Sequence, residues 1–285
     1  MKKIFTFFVA LLCAGTMFAG NGALKGAFTI NAEGDIIQFS QGNLQATYNG
    51  GSWSWSFAAH QYDYIGNAAA NTAITGNGTV STNGTVDLFG WSTAATTFGI
   101  HNSTDYNIYS GDFVDWGVNA ITNGGNKADA WRTLTKDEWV YLFYTREGAA
   151  TLFGLGSVNG VNGLILLPDN WGLPTGASFT PSTEQGLEDS GSSYDNGNGN
   201  NFSHNTYTTG QWAVMESAGA VFLPAAGNRN GASVSSGASG GYWSATHNGS
   251  GSAFNVLFND SLLSVEYSSY RCYGRSVRLV APFEN

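Results

Sequence analysis

Two cysteines, Cys13 and Cys272, decide how this chain can be held together. Cys13 lies in an amino-terminal stretch that reads as a secretory signal. Lys2 and Lys3 form its charged start, and Ile4 to Ala14 is an apolar run of signal length. Cleavage is expected after Ala19, so residues 1–19 are assigned as signal peptide. The run is too short to span a bilayer, which needs about 20 apolar residues. Leu12, just before Cys13, is not the small residue that lipid attachment requires, so no anchor is expected there. With the signal removed, Cys272 stands alone and no intramolecular disulfide can form, although export would permit one. Packing has to hold the fold.

Aromatic residues supply the material for it. The 285 residues include 9 Trp, 13 Tyr and 18 Phe, too many for a disordered chain despite 39 Gly. Charged residues reach only 11%, against about 25% in an average soluble domain. The surface must therefore be Asn, Ser, Thr and Gly. That texture suits loop-rich extracellular proteins, in which Tyr and Trp give contact area and short polar residues give adaptable hydrogen bonds. The net charge is −9 with no basic cluster, so nucleic acid is excluded as a partner. No transmembrane span follows the signal, and the expected location is secreted or cell surface.

Residues 20–285 read as a single domain, with a β-rich part over 20–125 and a core over 126–285 that ends in a ligand-binding sheet. Phe28-Thr29-Ile30 and Ile36-Ile37-Gln38-Phe39 are short strands parted by a turn cluster. Ser52 to Phe57 alternates serine with Trp53, Trp55 and Phe57, placing three rings on one face. Residues 66–85 lack bulk and read as an exposed loop. Aromatic residues return at Val86 to Trp91 and at Phe113 to Val118. A helix is expected after Leu134: Thr135 and Glu138 have capping-box spacing, and Trp139, Leu142 and Phe143 share one face. A second covers Gln211 to Ala218, capped by Thr208 with Gln211 and stopped by Gly219. Leu164 to Leu167 reads as a buried strand, and Asp189 to Asn201 as a polar tract that does not pack. Beyond Ala220, short strands (Val221 to Leu223, Tyr242-Trp243, Phe254 to Phe258, Val277 to Val280) alternate with polar runs. Period two puts Phe254, Val256 and Phe258 inward and Asn255, Leu257 and Asn259 outward. Trp139, Phe143, Trp243, Phe258, Val277 and Leu279 should share one core. The late cations are all arginine: Arg229, Arg271, Arg275 and Arg278. Two of them are expected in buried networks, which suit the guanidinium fork, and two at the surface.

Three segments carry a family resemblance. Trp131-Arg132-Thr133-Leu134-Thr135-Lys136-Asp137-Glu138-Trp139 looks like the R-L-P-T-x-x-E-W-E signature of formylglycine-generating-enzyme-like (sulfatase-modifying-factor) proteins. Gly241-Tyr242-Trp243-Ser244-Ala245-Thr246 is similar to their Y-W-S-S-T element, and Gly274-Arg275-Ser276-Val277-Arg278-Leu279-Val280 resembles their terminal strand. The resemblance implies an α+β, C-type-lectin-like fold: a small twisted antiparallel sheet, two flanking helices and extensive irregular loops. It also implies kinship with the variable proteins of diversity-generating retroelements, whose C-terminal sheet displays diversified ligand-binding residues. The family's name-giving oxidase works through a cysteine pair bound to copper, and this chain keeps only Cys272. Calcium-type lectins use E-P-N or Q-P-D with W-N-D. None of these tripeptides occurs here, and Phe258-Asn259-Asp260 is a faint echo of the last.

Other chemistry is not signalled. His60, His101, His204 and His247 lack metal-ligand spacing and read as loop or edge residues. Glu184, Glu188 and Asp189 read as solvated rather than as a glycosidase pair. Gly154 to Gly163 lacks the lysine of a phosphate loop. Asp195 to Asn200 departs from the calcium-loop pattern at its glycines. No enzyme activity, metal or cofactor is expected. The expected function is ligand binding, with a protein or glycan outside the producing cell as partner. The ligand-binding positions are Asn230, Ser233, Ser235, Ser239, His247, Asn248, Ser250, Ser252, Asn255, Leu257, Asn259, Asp260, Ser264, Tyr267, Tyr270, Cys272 and Tyr273. Leu257 apart, these are residue types one or two adenine changes from an asparagine codon, as adenine-directed mutagenesis would leave. A fixed receptor or adhesin, or a structural component of a surface assembly, is the alternative, and a formylglycine-generating-type oxidase ranks last.

Overall fold

The computed structural model describes residues 21–76, 80–181, 201–260 and 262–284. The signal peptide, the carboxylates Glu184, Glu188 and Asp189, and the Asp195 to Asn200 run lie outside the described residues. The chain is a mixed α+β protein, mostly strands in several small sheets with few short helices. The first sheet joins β1 (Phe28–Thr29), β2 (Ile36–Phe39) and the last strand, β15 (Val280–Pro282). In the second, β3 (Leu44–Asn49) lies between β4 (Ser52–Phe57) and β5 (Gly84–Val86). A one-turn helix α1 (Ala69–Thr72) precedes β5. The third has the order β8 (Thr206–Tyr207), β6 (Phe153–Val158), β7 (Val161–Leu166), β9 (Val221–Pro224), with β8 parallel to β6. A hairpin of β10 (Asn228–Asn230) and β11 (Ser233–Ser235) leads into the sheet β12 (Ser239–Asn248), β13 (Ser252–Asn259), β14 (Leu263–Tyr270).

Both expected helices form, each on its capping box. Thr135 caps α2 (Lys136–Val140), which continues as a π-helical turn over Tyr141–Thr145 and buries Trp139, Leu142 and Phe143. Thr208 caps α3 (Thr209–Ser217), and Gly219 ends it at φ +102°. The β6–β7 connection is Asn159-Gly160, with both residues at positive φ. Two-residue hairpins favour that conformation because it matches the strand twist.

Several expectations fail for identifiable reasons. Residues 66–85 are not simply an exposed loop, because Ala70, Asn71, Ile74 and Val80 are buried. Lack of bulk here permits close approach: a Cβ on Gly84 would sit 2.7 Å from the Ala70 methyl. Buried Asp87 secures the segment, accepting from Ile65 N–H and Asn71 Nδ2, both at 2.7 Å. Burial pushes its carboxyl up to about 6. The six residues assigned to one core are all buried but fall into two clusters. Trp139, Phe143 and Phe258 belong to one cluster, and Trp243, Val277 and Leu279 to the other. The sheet β12–β14 contributes to both, with Val256 and Phe258 in the first and Ala253 in the second.

The interior is also more polar than the apolar pattern suggests. All four late arginines are buried, including the two expected at the surface. Among the described residues none of them pairs with a carboxylate. Their partners are mostly carbonyl groups. Arg278 donates to Asn43 Oδ1 (3.1 Å), Ser40 O (2.9 Å) and Phe222 O (2.6 Å), tying together segments far apart in sequence. In a chain without disulfides, such multidentate donors supply cross-links that a monodentate side chain cannot.

Candidate functional site

The sheet β12–β14 departs from regular pairing twice. Ser244, Ala245 and Thr246 together oppose Phe254, because the register steps from Trp243↔Asn255 to His247↔Ala253. The extra residues turn toward α2: Ala245 N–H donates to Leu134 O at 2.9 Å, and Thr246 Oγ1 accepts from Lys136 N–H at 3.0 Å. On the other side Val265 and Glu266 oppose Val256. The extra residues lie on β12 and β14, so Asn255 keeps the face of Ala253 and of its register partner Trp243, and the second core cluster covers that face. Asn255 is fully buried, its Nδ2 donating to Tyr267 O (2.9 Å) and Ser269 Oγ (3.0 Å). Tyr267 and Tyr270 lie in strand β14, and Tyr273 follows it. Ser264 and Cys272 are buried as well, and burial pushes the Cys272 thiol up, so that side chain presents no reactive thiolate on a binding face.

Nine of the expected positions are exposed: Asn230, Ser233, Ser235, His247, Asn248, Ser250, Asp260, Tyr267 and Tyr270. Ser239, Ser252, Leu257, Asn259 and Tyr273 are half-buried. They do not make one patch. Ser239 pairs with Asn259 at one end of the β12–β13 ladder, and Asn248 pairs with Ser252 at the other. The β10–β11 hairpin reaches between the two, because Gly227 before it bridges Gly240 beside Ser239 while Gly231 at its tip lies against Thr104.

At that second end the structure adds residues that sequence reasoning missed. A 3-10 turn, Tyr106–Tyr109, lies across the β12–β13 turn. Its cap is Asp105, whose Oδ1 accepts from Asn107 N–H at 3.0 Å. The Tyr106 ring stacks on Tyr270 at 5.3 Å and 10°, and Tyr270 meets Tyr273 edge-on at 6.0 Å. Tyr106 and Tyr270 remain 38% and 51% exposed, and Ile108 beside them 40%. Gly251 makes this possible, since a Cβ there would stand 2.6 Å from the Tyr106 ring. Aspartate followed by an aromatic-rich run was the only available signal, and it gives a turn without telling where the turn docks.

Arg271 fixes the platform from beneath. Its guanidinium donates to Ser252 O (3.2 Å), Tyr109 O (3.2 Å), Gly111 O (3.2 Å) and Gly249 O (3.0 Å), and lies 4.2 Å above the Trp91 ring. One side chain thus joins the turn, the hairpin and the core. Burial lowers its pKa from the usual guanidinium range. Arg275 lies deeper, donating from Nη2 to Ser269 Oγ at 2.8 Å, and burial brings it down to about 10, offset in part by Tyr267 and Tyr273.

His60, His204 and His247 are exposed, and His101 is buried, with Nδ1 accepting from Ser103 N–H at 3.0 Å. Among the described residues no three His, Cys, Asp or Glu side chains gather to hold a metal ion, and no helix is long and apolar enough to cross a membrane. The chain matches no family model, no curated protein and no solved structure.

Proposed function

We propose that this chain is an exported ligand-binding protein without catalytic activity, whose contact face is the tyrosine platform at the turn of β12 and β13. The observation that carries the reading is three adjoining tyrosines, Tyr106 and Tyr270 open to solvent and Tyr273 half-buried beside them, held in fixed mutual geometry by Gly251 and Arg271. Rigid aromatic rings give large contact area at small entropic cost, and the rim of His247, Asn248, Ser250 and Ser252 offers short polar groups to tune specificity.

We read the architecture as C-type-lectin-like. Support comes from the three motif segments, which are hydrogen-bonded into one body. Arg132 bridges Val280, Tyr242 bridges Ser276, and Ala245 reaches Leu134. The retroelement reading extends only to positions whose side chains can change without disturbing the interior, which removes Asn255, Ser264 and Cys272 from the diversified set. An array of extracellular glycans and proteins tests the function. The native chain should bind a subset, and the triple variant Tyr106→Ala, Tyr270→Ala, Tyr273→Ala should lose that binding with its melting temperature nearly unchanged. Retained binding in the triple variant would refute the platform.

A further inference from the structure

The same sheet buries a group of polar atoms that the platform does not use. Arg275 is 6% exposed and has no carboxylate partner among the described residues, and its Nε has no hydrogen-bond partner. Ser269 Oγ accepts from both Arg275 Nη2 and Asn255 Nδ2, which leaves its hydroxyl hydrogen free to donate elsewhere. Asn255 Oδ1 is buried without a partner among the described residues. Space for the guanidinium exists because residue 241 is glycine: a Cβ there would meet Arg275 Cδ and Nη1 at 2.4 Å. Tyr267 is Asn255's partner in register, so it projects from the same face of the sheet, and it stands close enough to Arg275 to act on its charge, as does Tyr273. Arg229, buried and also without a carboxylate, bridges Gly274 immediately before Arg275, and its Nη2 lacks a partner.

Two buried guanidinium groups, Arg275 near Tyr273 and Arg229 near Tyr109, therefore lack a carboxylate partner among the described residues. Buried charges are ordinarily paired, since desolvation of an isolated ion is costly. We propose that Arg275, Ser269 and Asn255 form a subsite for the carboxylate of a terminal acidic sugar, a hexuronate, reached past Tyr267 beside the tyrosine platform. The proposal rests on the ligand-binding reading above and adds the ligand's chemistry. The guanidinium fork matches a planar carboxylate. The vacant acceptor on Asn255 needs a donor next to that carboxylate, which a sugar hydroxyl supplies. Tyrosine rings suit the apolar face of a sugar ring. A polyanion is disfavoured by the chain's net charge of −9, whose field repels repeated negative charge.

The probe is a disaccharide ending in glucuronate, titrated calorimetrically into the native protein beside its methyl ester and its neutral glucose-terminated counterpart. The acid should bind roughly tenfold or more tightly than either neutral form. Arg275→Met should erase that preference, and Ser269→Ala should reduce it. If Arg275→Met does not fold, the acid-to-ester ratio on the native chain still decides. Equal binding of acid and ester, no binding of the acid, or a free peptide carboxylate binding as tightly as the uronide would each overturn the proposal. The two readings fail separately. Platform-dependent binding of a neutral glycan or a protein with no acid preference removes the subsite alone. An acid preference that survives loss of the three tyrosines removes the platform alone.

Discussion

The hairpin β6–β7 and the hairpin β13–β14 are built on opposite principles. In β6–β7 six residue pairs run in unbroken register around Asn159-Gly160, and Leu164, Ile165 and Leu166 are fully buried by apolar neighbours. In β13–β14 the register slips at Val256, and the interior receives Asn255, Ser264 and Ser269 alongside Val256 and Phe258. Burial of the first needs only hydrocarbon. Burial of the second needs polar partners, and Arg275, arriving from later in the chain, supplies one at Ser269 Oγ while Ser269 and Tyr267 O accept from Asn255. Where apolar residues alone make a sheet's interior, its pattern can be read directly. Where polar residues are buried by distant donors, Asn and Ser look like surface and are not.

The sharpest test sets the two principles against each other. Arg278→Met removes charged donors from Ser40 O, Phe222 O and Asn43 Oδ1. Hydrogen bonds from charged groups contribute about 1.5–3 kcal/mol each, so the loss should be about 4 kcal/mol or more. Leu164→Ala should cost about 3 kcal/mol, as buried leucines do. Denaturant melts of both variants provide the measurement. An Arg278→Met chain as stable as its parent would mean that relief from burying the charge outweighs the bonds, and the contrast would fail.

That contrast also explains how much was legible. The helices could be read because their signals are local: Thr135 with Glu138 and Thr208 with Gln211 lie three residues apart. The strand at Leu164 could be read because its apolar run needs no partner to identify it. Asn255 could not be placed, since its burial depends on packing of its face, shared with Trp243, by a second core cluster and on Ser269 fourteen residues away. Of the site, the tyrosines at 267, 270 and 273 were legible as types, whereas Tyr106 joins them only through the docking of a separate turn. The arginines showed their residue type in sequence but not their destination, because carbonyl acceptors leave no mark on it.

Asp87 gives the second test. The hairpin β6–β7 has no ionisable side chain, whereas Asp87 is fully buried near Tyr242. Its folded pKa is raised from 3.8 to about 6 by desolvation. The contribution to stability is therefore fully present below pH 3.8, where the group is protonated in both states. It is lost as pH rises through 6. The loss is on the order of 3 kcal/mol between pH 4 and pH 7. Asp87→Asn stays neutral throughout, so the variant should gain on the parent by that amount across the window. Parallel stability curves for the two chains would show that Asp87 ionises as freely folded as unfolded.

The smallest effects should separate positions of the same residue type on the two sides of the sheet surface. Asn255→Ala removes the side-chain donor of Tyr267 O and leaves Ser269 Oγ with Arg275 Nη2 alone, in a buried setting. A cost of about 1–3 kcal/mol is expected for groups left unsatisfied there. Asn230→Ala and Ser250→Ala act on exposed positions and should stay within about 0.5 kcal/mol. Equal effects at all three would mean that Asn255 is not held in a buried polar network. The same division applies across isolates of this gene. Natural substitutions should gather at Asn230, Ser233, Ser235, His247, Asn248 and Ser250 and arise at adenines if the face is diversified, while Asn255, Ser264 and Cys272 stay constant. Scatter across both groups would return the chain to a fixed receptor, for a mechanism aimed at a binding face cannot spend its changes on the interior that supports it.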